Sequence, residues 1–226
     1  LRVSRAIDIQ EGIGKQMSEP HENDGWLDSA GVKALDTIWH LGARKAAEDL
    51  TVMSGEDFYL SEVKFKKLPL PELSMLLGRA DERISTVLLE IRGDCTGDVL
   101  LLLPKASTDE LVKILFAGCS LTEEEIEANR EGALREAGNI LGSAFLNSVA
   151  LLTKMEIVPT VPSHAEDMIG AIMDIVQIKH ASKGDYIFVA KSGLVRGSKP
   201  LDLFLLAIFE RDSLEKIIEK SQENGE

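Results

Sequence analysis

The sequence has few of the residues that build disulfide scaffolds, metal centres and nucleophilic active sites. It contains two cysteines, Cys95 and Cys119, which form no CxxC pair, and four histidines scattered along the chain. No GxSxG, HExxH or P-loop pattern occurs in it. We therefore expect two reduced, buried thiols, no disulfide and no metal ion held by the protein itself. These patterns give no support to a hydrolase that works through its own nucleophile or metal.

Basic residues and long apolar runs are also scarce. The sequence contains 25 Lys and Arg residues but 38 Asp and Glu residues, which gives a formal net charge of −13. Because nucleic-acid phosphates and anionic lipid surfaces are bound by clustered Lys and Arg, this balance argues against nucleic-acid and membrane partners. The longest apolar run, Leu203–Phe209, is far shorter than the ~20 residues that a membrane helix needs. We expect a cytoplasmic protein without membrane insertion.

What the chain does have is enough apolar residues, 44 % of 226, for one globular domain or for two half-domains that share a core. The order helix, strand, hairpin and helix occurs twice, over about 27–120 and 121–221. We expect an N-terminal arm or linker over residues 1–26, a single domain over 27–221 and a frayed tail over 222–226.

Local patterns predict the individual elements of the first half. A first helix is expected over residues 27–53, with a stop at Gly55. The loop GDCTG joins two apolar runs and predicts a hairpin. Ser107 is expected to cap the next helix. Thr122 followed by Glu125 is typical of a capping box at the start of the long helix.

The second half is predicted with fewer local signals. A helix over 167–175 is expected to lead into a strand over 175–181, followed by a turn over 182–185. The segment 193–198, GLVRGS, bears glycines but lacks the ending of a P-loop, so it is interpreted as a turn.

The stretch from Leu134 to Pro162 carries the most specific pattern. Apolar residues recur at helical spacing from 134 to 152 and predict one buried face. A second face carries four small or polar residues: Gly132, Glu136, Asn139 and Ser143. A carboxylate three residues before a carboxamide places the two groups side by side on a helix. By chemistry alone, such a pair is also typical of a solvated helix face.

The wider spacing is more informative. The order Glu136, two residues, Asn139, 22 residues, Pro162 resembles the active-site signature of the CheC/CheX/FliY phosphatases of bacterial and archaeal chemotaxis. The flanking residues GNILGSAFLN and IVPTVPSHAEDMIGAI are also similar to that family's second motif copy, and weaker similarity runs over residues 35–210. The resemblance implies an α+β fold. In it, a helix–strand–hairpin unit is duplicated about a pseudo-twofold axis, with a mixed or antiparallel sheet and long helices that carry the motifs.

The resemblance also implies a chemistry. The substrate is expected to be the phosphoaspartate of a CheY-type response regulator, with Mg²⁺ supplied by the regulator and no cofactor of the protein's own. Asn139 would position the attacking water, and Glu136 would dock a Lys of the regulator. Gly132, Ser143 and Pro162 would give binding or structural support. Gly132 stands where the family commonly has Asp or Ser.

A first copy of the motif has lost its chemical residues. Residues 35–50, LDTIWHLGARKAAEDL, are similar to the family's first motif, but Thr37 stands at the glutamate position, His40 at the asparagine position and Val63 at the proline position. His40 is interpreted as a surface histidine, with a role as a base as the alternative. The alternative function is therefore a largely non-catalytic adaptor that binds CheY-P, CheD or components of the flagellar switch.

Overall fold

The structure is a computed structural model, which describes residues 29–69, 71–73, 79–181, 186–196 and 199–223. Its helices are α1 Ser29–Ser54, α2 Lys105–Leu115, α3 Glu123–Thr153, α4 Ile169–His180 and α5 Arg211–Glu223. Its strands are β1 Phe58–Pro69, β2 Arg83–Gly93, β3 Gly97–Pro104, β4 Ile157–Pro159, β5 Ser163–Met168, β6 Tyr186–Arg196 and β7 Lys199–Phe209. The expected arm over 1–26 and the expected turn over 182–185 lie outside the described residues.

All seven strands form one antiparallel sheet. The order across it is β1-β6-β7-β3-β2, and β4 and β5 both pair with the outer edge of β2. The short strand β4 pairs with residues 91–93 of β2, and β5 pairs with residues 83–88. β4 and β5 therefore act as one interrupted edge strand, and the interruption between them, residues 160–162, is where the chain leaves the sheet.

The predicted duplication is confirmed by the element order and the strand pairing. The first unit is α1, β1, the hairpin β2–β3 and α2, and the second is α3, β4 with β5, the hairpin β6–β7 and α5. The first strand of each unit pairs with the hairpin of the other: β1 pairs with β6, and β4 and β5 pair with β2. The two hairpins meet at β3 and β7. This exchange is the pseudo-twofold arrangement that the resemblance implies.

Two apolar cores lie on opposite faces of the sheet. The residues of β3 alternate between them: Val99, Leu101 and Leu103 belong to the larger core, and Leu100 and Leu102 to the smaller. The larger core is covered by α1, α2, α3 and α5, and the smaller by α4. None of the helices in the described part of the chain combines the length and the apolar character that a membrane span requires.

Glycines let helix α3 lie very close to its neighbours. A Cβ atom added to Gly138 would lie 2.4 Å from Cγ1 of Val87 on β2, and one added to Gly42 of α1 would lie 2.6 Å from the ring of Phe145. No side chain fits at such distances, so the residue type itself fixes how deeply α3 sits. This depth determines how far the outer face of α3, which carries the motif, stands from the edge of the sheet.

Several local predictions are wrong. Helix α2 begins at Lys105 with Pro104 as its N-cap, so Ser107 lies inside the helix, buried and not capping it. The apolar run 169–180 is one helix, not a helix followed by a strand, because a short apolar run fits either structure until its packing partner is known. Residues 193–196 continue β6 instead of turning. Cys119 is exposed, although Cys95 is buried as expected and both are free.

Other elements agree closely with the patterns. Helix α1 is unbroken and ends at Ser54, directly before Gly55, whose φ of +69° is the left-handed conformation that favours glycine after a helix C-terminus. The predicted hairpin is formed by β2 and β3. Helix α5 continues through Glu223, two residues into the segment 222–226 that is expected to fray.

Candidate functional site

The candidate site is built on helix α3, whose start is fixed by local chemistry. The Thr122 hydroxyl accepts a hydrogen bond from the Glu125 backbone N–H at 3.2 Å, and the Glu125 carboxylate accepts one from the Thr122 N–H at 2.8 Å. This is the predicted capping box. Three glutamates in the first turn, beginning at Glu123, complement the helix dipole.

The predicted division of α3 into two faces is present. Leu134, Ala137 and Leu141 are fully buried, whereas Glu136 is exposed and Asn139 is half-buried. The buried face packs on the larger core, which leaves the opposite face free to form a wall of a surface groove.

The opposite wall of the groove is the segment that connects β4 to β5. Helix α3 ends at Thr153, and Lys154 takes a left-handed conformation with φ of 56° that reverses the chain. The Thr160 backbone N–H donates to the Glu90 carbonyl at 2.9 Å, and the Thr160 hydroxyl accepts from the Glu90 N–H at 3.0 Å. These two bonds fasten the segment to the sheet edge.

The two walls enclose an open groove of about 470 Å³. Its lining residues are Gly132, Arg135, Glu136, Asn139, Pro159, Thr160, Val161 and Pro162. The structure therefore brings Gly132, Glu136, Asn139 and Pro162 together, although 22 residues separate Asn139 from Pro162 in the sequence. Ser143 is half-buried and does not line the groove.

Arg135 connects the two walls of this groove. Its Nε donates a hydrogen bond to the Pro162 carbonyl at 3.0 Å and so ties α3 to the opposite wall. Sequence reasoning did not select Arg135, Thr160 or Val161. The signal that could have found them is their position next to the motif residues Glu136 and Pro162.

The motif side chains are not engaged by the rest of the protein. Among the residues that the structure describes, neither the Glu136 carboxylate nor the Asn139 carboxamide has a hydrogen bond or an ion pair. A free carboxylate can accept a bond from an ammonium or guanidinium group of a partner. A free carboxamide offers a donor and an acceptor without adding charge. The groove can therefore hold a partner's cation and an ordered water side by side.

A charged cluster lies beside the N-terminal half of α3. Nη2 of Arg130 donates to Asp109 of α2 at 2.6 Å, and its Nε lies 3.6 Å from Glu166 of β5. His164 of β5 is hydrogen-bonded through Nε2 to Ser85 at 2.9 Å. Burial lowers the pKa of His164 below its ordinary value of 6.5, and the nearby Glu166 partly offsets this effect. Through Arg130, this cluster links α3 to helix α2 and to strand β5.

The equivalent groove of the first copy is organised differently. It lies between α1 and the start of β1 and has a volume of about 1070 Å³. The Thr37 hydroxyl donates to the Lys33 carbonyl at 2.9 Å, and Nδ1 of His40 lies 2.9 Å from the Asp36 carbonyl. Both side chains are therefore engaged with their own helix, in contrast with Glu136 and Asn139.

Comparison with known proteins agrees with this architecture. No family model matches the chain. The chain is 26 % identical over 188 residues to the CheY-P phosphatase CheC of Bacillus subtilis (strain 168), a match that covers 81 % of this chain and 90 % of that protein.

Solved structures share the fold. FliY of Thermotoga maritima superposes with a TM-score of 0.70 at 16 % identity, over 88 % of this chain and 98 % of that chain. CheX of Desulfovibrio desulfuricans gives 0.51 at 14 % identity, over 77 % and 99 %. The FliM middle domain of H. pylori gives 0.53 at 14 % identity, over 86 % and 99 %. The motif spacing, the duplicated sheet and the similarity to CheC agree, so the chain is similar in sequence to CheC and shares its fold with FliY and CheX.

Proposed function

We propose that the protein hydrolyses the aspartyl phosphate of a CheY-type response regulator at the groove between α3 and residues 159–162. The observation that carries the proposal is the pair Glu136 and Asn139, which lie on the outer face of α3 with no partner among the described residues and line one groove with Pro162. The relation to CheC, which is a CheY-P phosphatase, supports the same activity.

Glu136 docks the regulator. Its carboxylate is exposed on the groove and receives a Lys ammonium of the partner, and the bond strengthens when docking removes water from the pair. The bond fixes the register of the complex, so that the phosphoaspartate comes to lie over Asn139. Loss of Glu136 is therefore expected to weaken binding more than the chemical step.

Asn139 positions the water. The carboxamide accepts a bond from the water and holds its oxygen in line with phosphorus. The new P–O bond forms from that oxygen as the P–O bond to the aspartyl carbonyl group breaks. The electron pair of the broken bond stays on the aspartate carboxylate, and the protons of the water leave with inorganic phosphate and the solvent. The Mg²⁺ that neutralises charge in this step belongs to the regulator.

A dephosphorylation assay tests the proposal. The purified protein is mixed with a phosphorylated CheY-type regulator and Mg²⁺, and phosphate loss is followed against the regulator alone. Acceleration by the wild-type protein, with a raised KM and a nearly unchanged maximal rate in Glu136→Gln, is the expected result. Binding of the regulator without any acceleration would contradict the enzymatic proposal.

An adaptor is the second candidate function. The observation that favours it is the first-copy groove, where Thr37 and His40 are bonded to their own helix and the family's Glu and Asn are absent. In this proposal the protein is a cytoplasmic binding partner of CheY-P, CheD or flagellar-switch components, and its fold is shared with a FliM middle domain. Binding without turnover would favour this candidate.

A further inference from the structure

The geometry points to Arg135 as a residue that contacts the phosphoryl group of the docked regulator and distinguishes it from the unphosphorylated aspartate. The inference rests on the proposed function and deepens it. It concerns a side chain that lies between the two walls of the groove, directly before Glu136 in sequence.

Within the described ranges, one hydrogen bond holds the Arg135 side chain. Nε donates to the Pro162 carbonyl at 3.0 Å, and the side chain is half-buried, so the guanidinium group is tied to the wall opposite α3. Its two Nη atoms have no hydrogen bond and no ion pair with any residue in the described ranges. A guanidinium group whose Nε bonds to the protein still has the N–H donors of its two Nη atoms available to a ligand. These paired donors form a planar fork that matches two oxygens of a phosphoryl group.

The charges that line the groove show why a phosphoryl group would need this guanidinium group. Among the residues that line it, Arg135 is the single cation and Glu136 the single anion. The whole chain carries a net charge of −13. An approaching phosphoryl group meets the repulsion of Glu136, and an adjacent guanidinium group offsets that repulsion at short range.

The expected chemistry follows from the contact. As the P–O bond to the aspartate breaks and the water oxygen bonds to phosphorus, negative charge is spread over the three remaining phosphoryl oxygens. Nη donors of Arg135 stabilise two of these oxygens, while the Pro162 carbonyl keeps the side chain from swinging away. Arg135 neither gains nor loses a proton in this step.

Replacement by glutamine tests the inference. In Arg135→Gln, the maximal dephosphorylation rate is expected to fall about 10- to 100-fold, the loss of a hydrogen bond to a charged group. Binding is measured with the regulator in two states, free and loaded with beryllofluoride and Mg²⁺ as a mimic of the acyl phosphate. The variant is expected to lose most of the wild-type preference for the loaded form. Arg135→Lys keeps the charge without the fork and should recover only part of both properties.

Arg92→Gln is the matched control, since Arg92 is an exposed cation of β2 that does not line the groove. Arg92→Gln changes the net charge by the same amount as Arg135→Gln. It should leave unchanged both the maximal dephosphorylation rate and the preference for the loaded regulator over the free one. A purely structural role of Arg135 would lower the affinities for both forms of the regulator in parallel, with their ratio unchanged, and would overturn the inference.

The outcomes separate this inference from the proposed function. If Asn139→Ala abolishes turnover while Arg135→Gln retains both the rate and the preference, the inference is wrong and the phosphatase stands. If the wild-type protein prefers the loaded regulator through Arg135 but accelerates nothing, the phosphatase proposal is wrong and the phosphoryl contact stands. If the wild-type protein has no preference between the two forms, the inference is contradicted.

Discussion

Replacement of Gly138 by alanine probes how closely helix α3 lies on the sheet. The added Cβ would stand 2.4 Å from Cγ1 and 2.6 Å from Cβ of Val87, which is fully buried on β2. Rotation of the Val87 side chain does not relieve the contact with its Cβ. The helix must therefore move away from the sheet, or the sheet must bend.

The magnitude is best taken as a difference between two variants of the same helix. Gly132→Ala adds a methyl group where nothing lies within 4 Å. An alanine inside a helix stabilises it by about 1 kcal/mol relative to glycine. Gly138→Ala has the same gain, but overpacking a well-packed core typically costs about 1–3 kcal/mol. The free energy of unfolding should therefore be lower in Gly138→Ala than in Gly132→Ala by about 1–3 kcal/mol.

Urea denaturation followed by far-ultraviolet circular dichroism measures both free energies. For a chain of this size, each kcal/mol corresponds to about 2–4 °C in Tm, so thermal melting gives an independent check. If Gly138→Ala proved as stable as Gly132→Ala, α3 would not lie against Val87 as described, and the placement of the groove would fail with it.

Three further outcomes follow from the same structure. Gly132 lines the groove beside Glu136 with open space around it, so Gly132→Asp adds a second carboxylate that can pair with a cation of the docked regulator and should strengthen regulator binding. Isothermal titration calorimetry measures the Kd, and a higher Kd in the variant would contradict this prediction. Burial raises the pKa of Cys95 to about 11, whereas Cys119 is exposed, so iodoacetamide should alkylate Cys119 alone in the native protein by mass spectrometry. Burial lowers the pKa of His164 in the folded protein, so the unfolded state binds more protons than the folded state as the pH falls through about 6.5. The free energy of unfolding should therefore decrease as the pH falls through that range. His164→Gln should make this decrease smaller in urea titrations, and an unchanged pH dependence in the variant would contradict the prediction.

The parts of the fold that depend on neighbouring residues could be predicted from sequence. The capping box of Thr122 and Glu125 and the stop at Gly55 are set by chemistry within a few residues, and both are present. The motif face of α3 follows from helical periodicity, so Glu136 and Asn139 were assigned to one face correctly.

The parts of the fold that depend on contacts between residues distant in sequence could not be predicted. Whether residues 169–180 form a helix or a strand is decided by the second face of the sheet, which that helix covers. The bond from Arg135 to Pro162 exists because β4 pairs with β2 and carries the following segment back toward α3. The burial of the two cysteines differs because Cys95 is part of the larger core, whereas Cys119 lies in an exposed loop.

The most direct test of the central claim is the single-turnover rate of regulator dephosphorylation in Asn139→Ala, compared with Asn147→Ala. Asn147 is an exposed asparagine on the same helix and does not line the groove. We predict that Asn139→Ala loses about 10²–10³ of the acceleration, the typical cost of removing a group that acts in the transition state. Asn147→Ala should keep the wild-type rate. Equal rates in the two variants would contradict a site built on Asn139.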